Sequence, residues 1–173
     1  MYWYVLFVRT GREHKVEQFL KERLDTCTYV PFVPLQERFF KAAGTVKKEL
    51  KPLFPSYVFI ESEISSHEFI KKTSALIYTS RDIVSILKYS DTEIAMRESE
   101  KQMLLSLCND DHCIESSSGI IKGDRIHITD GPLKEWKSIV REVNRHKRQA
   151  LIEIEFMGGT RLISVALEIV EKI

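Results

Sequence analysis

An excess of charge of either sign is missing from this sequence: 26 Lys and Arg stand against 25 Asp and Glu, for a net charge of +1. That removes the simplest case for nucleic-acid binding, because contact with phosphate backbones usually leaves a surplus of Lys and Arg. A disulfide framework is missing too. The three cysteines, Cys27, Cys108 and Cys113, follow no framework spacing, which suits a reducing compartment. Met1 to Val8 is apolar but gives way at once to Arg9, too short for a signal peptide or a membrane span. The expectation is a cytoplasmic protein without a membrane partner. Catalytic signatures are also wanting: there is no phosphate-cradling loop, nucleophile elbow or paired-histidine metalloprotease helix. Cys108, His112 and Cys113 fit no zinc-finger spacing, and a fourth ligand is not evident. Neither metal, cofactor nor catalytic residue is expected, and the chain reads as a binder rather than an enzyme.

What is present suffices for a core. With 43% hydrophobic and 29% charged residues, the 173-residue chain lies far from disordered composition and has room for two small domains. Its charge is unevenly distributed. Glu37 to Lys51 holds five bases against two acids, Lys134 to Arg148 six against two, and Asp91 to Glu115 two bases against seven acids.

Tyr2 to Arg9 is apolar or aromatic on both faces, as in a central strand covered on both sides. Thr10 with Glu13 forms a capping-box pattern, and Val16, Phe19, Leu20 and Leu24 recur at helical spacing, predicting a helix over 12–24. Tyr29 to Phe40 begins as extended chain because of Pro31 and Pro34; Gly44 then turns it back into a basic hairpin carrying Arg38, Lys41, Lys47 and Lys48. Pro52 and Pro55 forbid helix and lead into a strand over 56–60. Ser65 with Glu68 repeats the capping pattern before a short helix, 66–73, whose Phe69 and Ile70 are expected to face inward. A strand near 83–87 and a helix over 97–108 follow. The polar, serine-rich segment 109–119 reads as a linker. It divides the chain into 1–108 and 120–173. Beyond it, short strands and turn signals at Asp130-Gly131-Pro132 and Gly158-Gly159 predict a closed β-barrel.

Two segments carry a family resemblance. Trp3-Tyr4-Val5 to Arg12, together with Leu53-Phe54-Pro55-Ser56-Tyr57-Val58-Phe59-Ile60, resembles the signature stretches of the NusG amino-terminal (NGN) domain. Lys122 to Leu133 resembles the start of a KOW motif, the small SH3-like barrel that ends NusG-type factors. Within that family the tail 144–171, with Arg145-His146-Lys147-Arg148 and Phe156 to Arg161, is most similar to the LoaP group of paralogues. The resemblance departs at Glu135 and Ser138, where the motif usually has glycine. It implies an α+β fold, an antiparallel sheet flanked by helices followed by an SH3-like barrel, acting as a monomer in the bacterial cytoplasm.

The resemblance also implies roles. Trp3, Phe54 and Tyr57 correspond to the aromatic pocket that grips the clamp helices of RNA polymerase, beside the plain reading of core packing. Arg9, Arg12 and Lys15 could meet the non-template DNA strand, or form only a solvated helix face. Arg141, Asn144, Arg145, His146, Lys147 and Arg148 would contact a structured RNA hairpin, with Lys134, Trp136 and Lys137 joining them and Trp136 exposed to stack on a base. The same cluster could be a solubilising turn. The implied function is an elongation and antitermination factor that carries polymerase through terminators. The alternatives are a general NusG-type factor whose KOW domain binds a ribosomal protein or Rho, and a ribosome-associated KOW protein.

Overall fold

The computed structural model describes residues 1–173. In chain order the elements are β1 Tyr2–Val8, α1 Glu13–Arg23, β2 Tyr29–Phe32, β3 Leu35–Ala42, β4 Thr45–Pro52, β5 Tyr57–Ser62, α2 Ser66–Ile77, β6 Ile83–Ile86 and α3 Glu98–Leu107. Then follow β7 Cys113–Ile114, β8 Ser117–Lys122, β9 Arg125–Asp130, β10 Val140–Asn144, β11 Gln149–Phe156 and β12 Gly159–Lys172. None of the helices is long and apolar enough to cross a membrane.

The chain divides into two compact units, one of Met1–Pro34 with Phe54–Lys101, the other of Leu35–Leu53 with Gln102–Ile173. In the first, β2, β5, β1 and β6 form an antiparallel sheet in that order, with Phe7 opposite Tyr57 and Trp3 opposite Glu61. Successive side chains of a strand point to opposite faces. Tyr4, Leu6 and Val8 therefore share one face and Trp3, Val5 and Phe7 the other. Helices α1 and α2 cover the first face. Tyr4 stacks on Phe69 of α2 at 3.9 Å between ring centroids, Tyr29 meets the same ring edge-on, and the Tyr4 hydroxyl donates to the Ile64 carbonyl. Burial of that hydroxyl pushes its pKa up to about 12. Phe69 is fully buried, but Ile70, expected beside it, is exposed, because the inward stripe of α2 runs through Phe69, Thr73 and Ile77.

Neither capping box forms. No side-chain cap bond is made at Arg12 or Ser65, the residues that precede α1 and α2. Thr10 instead bonds Ser56, and Glu13 turns to backbone amides elsewhere.

In the second unit, β3 and β4 form a hairpin turned by Ala43 and Gly44, both at positive φ. Strand β3 pairs with β7 in parallel only at Leu35 and Gln36, and packs beside β12. The five strands at the end of the chain lie in the order β10-β11-β12-β8-β9. Strand β12 is long enough to pair with β11 through its first half and, in parallel, with β8 through its second. The closed barrel expected here is not formed by these ladders, since β9 and β10 are the two edges and do not pair. Two 3-10 turns, Pro132–Glu135 and Lys137–Ile139, separate β9 from β10, and the edges carry Arg125, Asp130, Arg141 and Glu142, charges that discourage edge pairing. Gly131 is required where it stands: its φ is 93° and a Cβ there would fall 2.5 Å from Ser117 Cα. The segment 109–119, expected as a linker, contains β7 and the start of β8. Cys113, Ile114 and Ser117 are buried there, and Ser117 accepts from the Leu133 amide.

Phe69→Ala should cost about 3–5 kcal/mol, because it empties the ring position shared by Tyr4 and Tyr29. Denaturant unfolding would measure it, and a loss under about 1 kcal/mol would show that the stack is not central to the first unit.

Candidate functional site

Two surfaces collect the residues that the sequence singled out. The first is the sheet face of the first unit opposite α1 and α2, where the Lys101 ammonium of α3 lies 5.8 Å over the Trp3 ring. Trp3 lies edge-on to Phe32 and Phe59 at 5.1 and 5.9 Å, its indole N–H donates to Glu61 at 2.8 Å, and it is 2% exposed. Phe54 stacks on Phe59 at 6.0 Å and is equally buried. Both are core side chains in this structure. Tyr57 is half-buried, and the aromatic ring exposed beside it is Phe7, 37% accessible and 5.6 Å from the Tyr57 ring. The structure thus separates the expected trio into two buried supports and one partly open ring, and adds Phe7. The signal for Phe7 was available: it is two residues from Val5 and four from Trp3 along a strand.

The turn that presents Tyr57 is held by a buried acid. Ser56 has φ 77°, a left-handed conformation that a non-glycine residue adopts at a cost of about 1–2 kcal/mol. The Glu13 carboxylate, 5% exposed, accepts from the Ser56 amide at 3.2 Å and from the Gly11 amide at 2.8 Å. The Ser56 carbonyl accepts from Val8 at 2.8 Å, and its hydroxyl meets Thr10 Oγ1 at 2.6 Å. Ser56 is therefore clamped through amide, carbonyl and hydroxyl at once. Glu13 lay in the sequence as half of a capping pattern; only the fold brings it to residue 56. Arg9, Arg12 and Lys15, around the same turn, are all exposed, and Lys15 pairs loosely with Asp82 at 3.7 Å.

The second surface surrounds the β10–β11 turn. Arg145, His146 and Lys147 are exposed, while Asn144 and Arg148 are half-buried. The turn is preformed: Asn144 Oδ1 accepts from the Lys147 amide at 3.0 Å, Arg148 adopts φ 52°, and its carbonyl accepts from Leu167 at 3.1 Å. A cavity of about 610 Å³ is lined by Asn144, Arg145, His146 and Arg148 with Glu168, which faces the Arg148 guanidinium at 3.8 Å. Arg141 is exposed but engaged, donating to the Ser138 carbonyl at 2.7 Å and to Glu153 at 2.8 Å. Lys134 and Lys137 are exposed on the 3-10 turns and do not line that cavity; Trp136, expected to be exposed, is half-buried. Glu135 and Ser138 both have negative φ, so the backbone makes no demand for glycine at either place.

The cysteines lie apart from both surfaces in chemical character. Cys27 is exposed, whereas burial pushes the Cys108 thiol up to about 12 and raises that of Cys113 as well.

A family model for "Transcription termination factor nusG" matches residues 1–105. Over 98% of its length the chain is similar to the transcription termination/antitermination protein NusG of Buchnera aphidicola, at 23% identity and covering 95% of that protein. The corresponding protein of Pseudomonas aeruginosa is 22% identical, with 99% of this chain and 98% of that one covered. Among solved structures, "Domain interaction in Thermotoga maritima NusG" shares the fold at a TM-score of 0.53 and 15% identity, covering 97% of this chain and 93% of that one.

Two outcomes follow from the geometry. Glu13→Ala should destabilise the first unit by about 1–3 kcal/mol, because two amides lose their acceptor, and Glu13→Gln, which keeps one oxygen, should cost less. Hydrogen exchange at the Ser56 amide would report the release directly. At about pH 8, iodoacetamide should label Cys27 in the folded protein and reach Cys108 and Cys113 only after unfolding, because burial keeps their thiols protonated there. Equal labelling of all three by mass spectrometry would contradict the burial.

Proposed function

The chain belongs to the NusG family of transcription termination and antitermination factors, whose members are not enzymes, and from that premise we propose that it binds RNA polymerase through its first unit and a structured RNA through its last strands. On this reading it is an antitermination factor of the LoaP type that keeps polymerase moving through terminators, with residues 1–108 as the NGN domain and 120–173 as the KOW domain. It would work as a monomer in the bacterial cytoplasm.

The observation that supports polymerase binding is the aromatic sheet face. Phe7 is exposed on it beside the half-buried Tyr57, and both are backed by the buried Phe54, Phe59 and Trp3, so these rings have little rotamer freedom left to lose. An amphipathic pair such as the clamp helices can lay its apolar ridge on a surface of this kind. Arg9, Arg12 and Lys15 follow Phe7 directly and remain exposed, where they can meet the phosphates of the displaced non-template strand.

RNA binding is supported by the basic turn over 145–148. Its cations are solvent-accessible, its backbone is already folded, and a cavity opens beside it. Phosphate contact by Arg145 and Lys147, with the exposed His146 able to approach base edges and Asn144 holding the turn, would make binding both salt-dependent and selective. A KOW domain that binds a ribosomal protein or Rho is the rival reading.

In a pull-down with core RNA polymerase, Phe7→Ala and Tyr57→Ala should each lower affinity about tenfold at unchanged unfolding midpoint. Trp3→Ala should instead lower stability by about 3–5 kcal/mol. Unchanged capture by the Phe7 and Tyr57 variants would remove that face from the interface. For RNA, the full chain should retard structured RNA in a gel, binding should fall steeply with salt, and charge reversal at Arg145 or Lys147 should abolish it. Binding that is absent or insensitive to salt would sink the RNA reading in favour of a protein partner.

A further inference from the structure

The β3–β4 hairpin belongs to the same compact unit as the C-terminal strands, and β3 runs beside β12. Between the hairpin and the basic turn lies a cleft of about 320 Å³. Phe39, Phe40 and Lys41 form one wall; His146, Lys147 and Arg148 form the other, and no carboxylate lines it. Two basic segments that are separated by a hundred residues in sequence therefore face one another.

The two walls differ in chemistry. Phe39 and Phe40 are only half-buried although they sit mid-strand, and cross-strand pairing sets Lys48 opposite Phe39 and Lys47 opposite Phe40. The Lys48 ammonium lies 5.7 Å over the Phe39 ring. Beyond Gln36 the only strand ladder that β3 forms is the one with β4. Opposite, the turn is fixed by the Asn144 cap; Arg145 and Lys147 are exposed, while Arg148 is half-buried and faces Glu168. Lys48 and Arg148 each have a carboxylate within 4 Å, Glu37 and Glu168, but neither acid lines the cleft, and an aromatic ring beside cations is what an unpaired nucleotide needs: a plane to stack on and charges for the flanking phosphates.

We infer that this cleft is a second subsite for RNA, in which an unpaired nucleotide of a stem-loop stacks on the Phe39 ring while Lys41, on the same face of β3, and Lys147 and Arg148 across the cleft hold the phosphates on either side. The inference rests on the RNA reading above and adds the hairpin to it. Recognition then requires both segments, and the C-terminal strands alone bind more weakly than the full chain.

The experiment uses the full chain and a labelled pool of RNA stem-loops with randomised loops, with blunt RNA duplexes as the second probe. Lys41 is exposed, so Lys41→Ala keeps the fold; it should weaken stem-loop binding and reduce the slope of log affinity against log salt by about one. Phe39→Leu should weaken stem-loops about tenfold and leave duplexes unaffected, while Phe39→Tyr, which keeps a ring, should bind like the parent. If Arg145→Ala abolishes binding but the Lys41 and Phe39 variants match the parent, the subsite is wrong and the basic turn alone is the RNA site. If no RNA is bound by the parent, both readings fall together. A loss at Lys41 with Phe39→Leu unaffected would also overturn the stacking proposal, since an acidic peptide needs the cations and not the ring.

Discussion

Strand β1 is buried on both faces, and the first unit is organised around that constraint. A strand in the interior of a sheet satisfies its backbone through neighbours on either side, here β5 and β6, and must then find cover above and below. Tyr4 receives that cover from Phe69 on the helical side. Trp3, on the other face, lies beside Phe32 and Phe59 of the same sheet and beneath the Lys101 ammonium of α3, 5.8 Å from its ring. Because alternate residues face opposite ways, the same strand that anchors the core with Trp3 and Val5 delivers Phe7 to the surface at its far end. Core and candidate polymerase-binding face are consecutive stretches of one ladder.

That continuity gives the Glu13 clamp its importance. Tyr57 opens strand β5, and the residue before it holds a backbone conformation that serine does not favour. A buried carboxylate accepting two amides offsets the strain and ties the turn before β5 to the turn after β1. The exposed Phe7 and the half-buried Tyr57 are thereby tied through the turns that follow β1 and precede β5, and the cations Arg9, Arg12 and Lys15 are arrayed around the same tie. A surface prepared in this way loses little entropy when a partner helix settles on it.

The C-terminal half solves a different problem. Its five strands leave two edges unpaired, defended by charge, and the long strand β12 joins an antiparallel ladder to a parallel one. The basic turn between β10 and β11 projects from this sheet with its backbone already bonded, and the β3–β4 hairpin stands across from it. A near-neutral chain thus gathers positive charge locally, with the compensating acids concentrated between residues 91 and 115.

Period and punctuation in the sequence determined the strands and helices themselves: the strand expected over 2–9 and found over 2–8, the helix expected over 12–24 and found over 13–23, the hairpin at Gly44 and the basic turn over 145–148 were legible because each rests on local pattern. The NusG family was legible as well, since its signature residues are contiguous. Tertiary structure alone decided what those patterns could not encode. Capping boxes at Thr10 and Ser65 looked sound locally, yet Glu13 is drawn away by an amide 43 residues distant. Trp3 and Phe54 resemble contact residues by position, and packing against Phe59 turned them into supports. The polar stretch 109–119 was composed like a linker, and pairing with β3 and β12 made strands of it. In each case a long-range partner outweighed a local preference of a few tenths to about 1 kcal/mol, because burial against that partner is worth more.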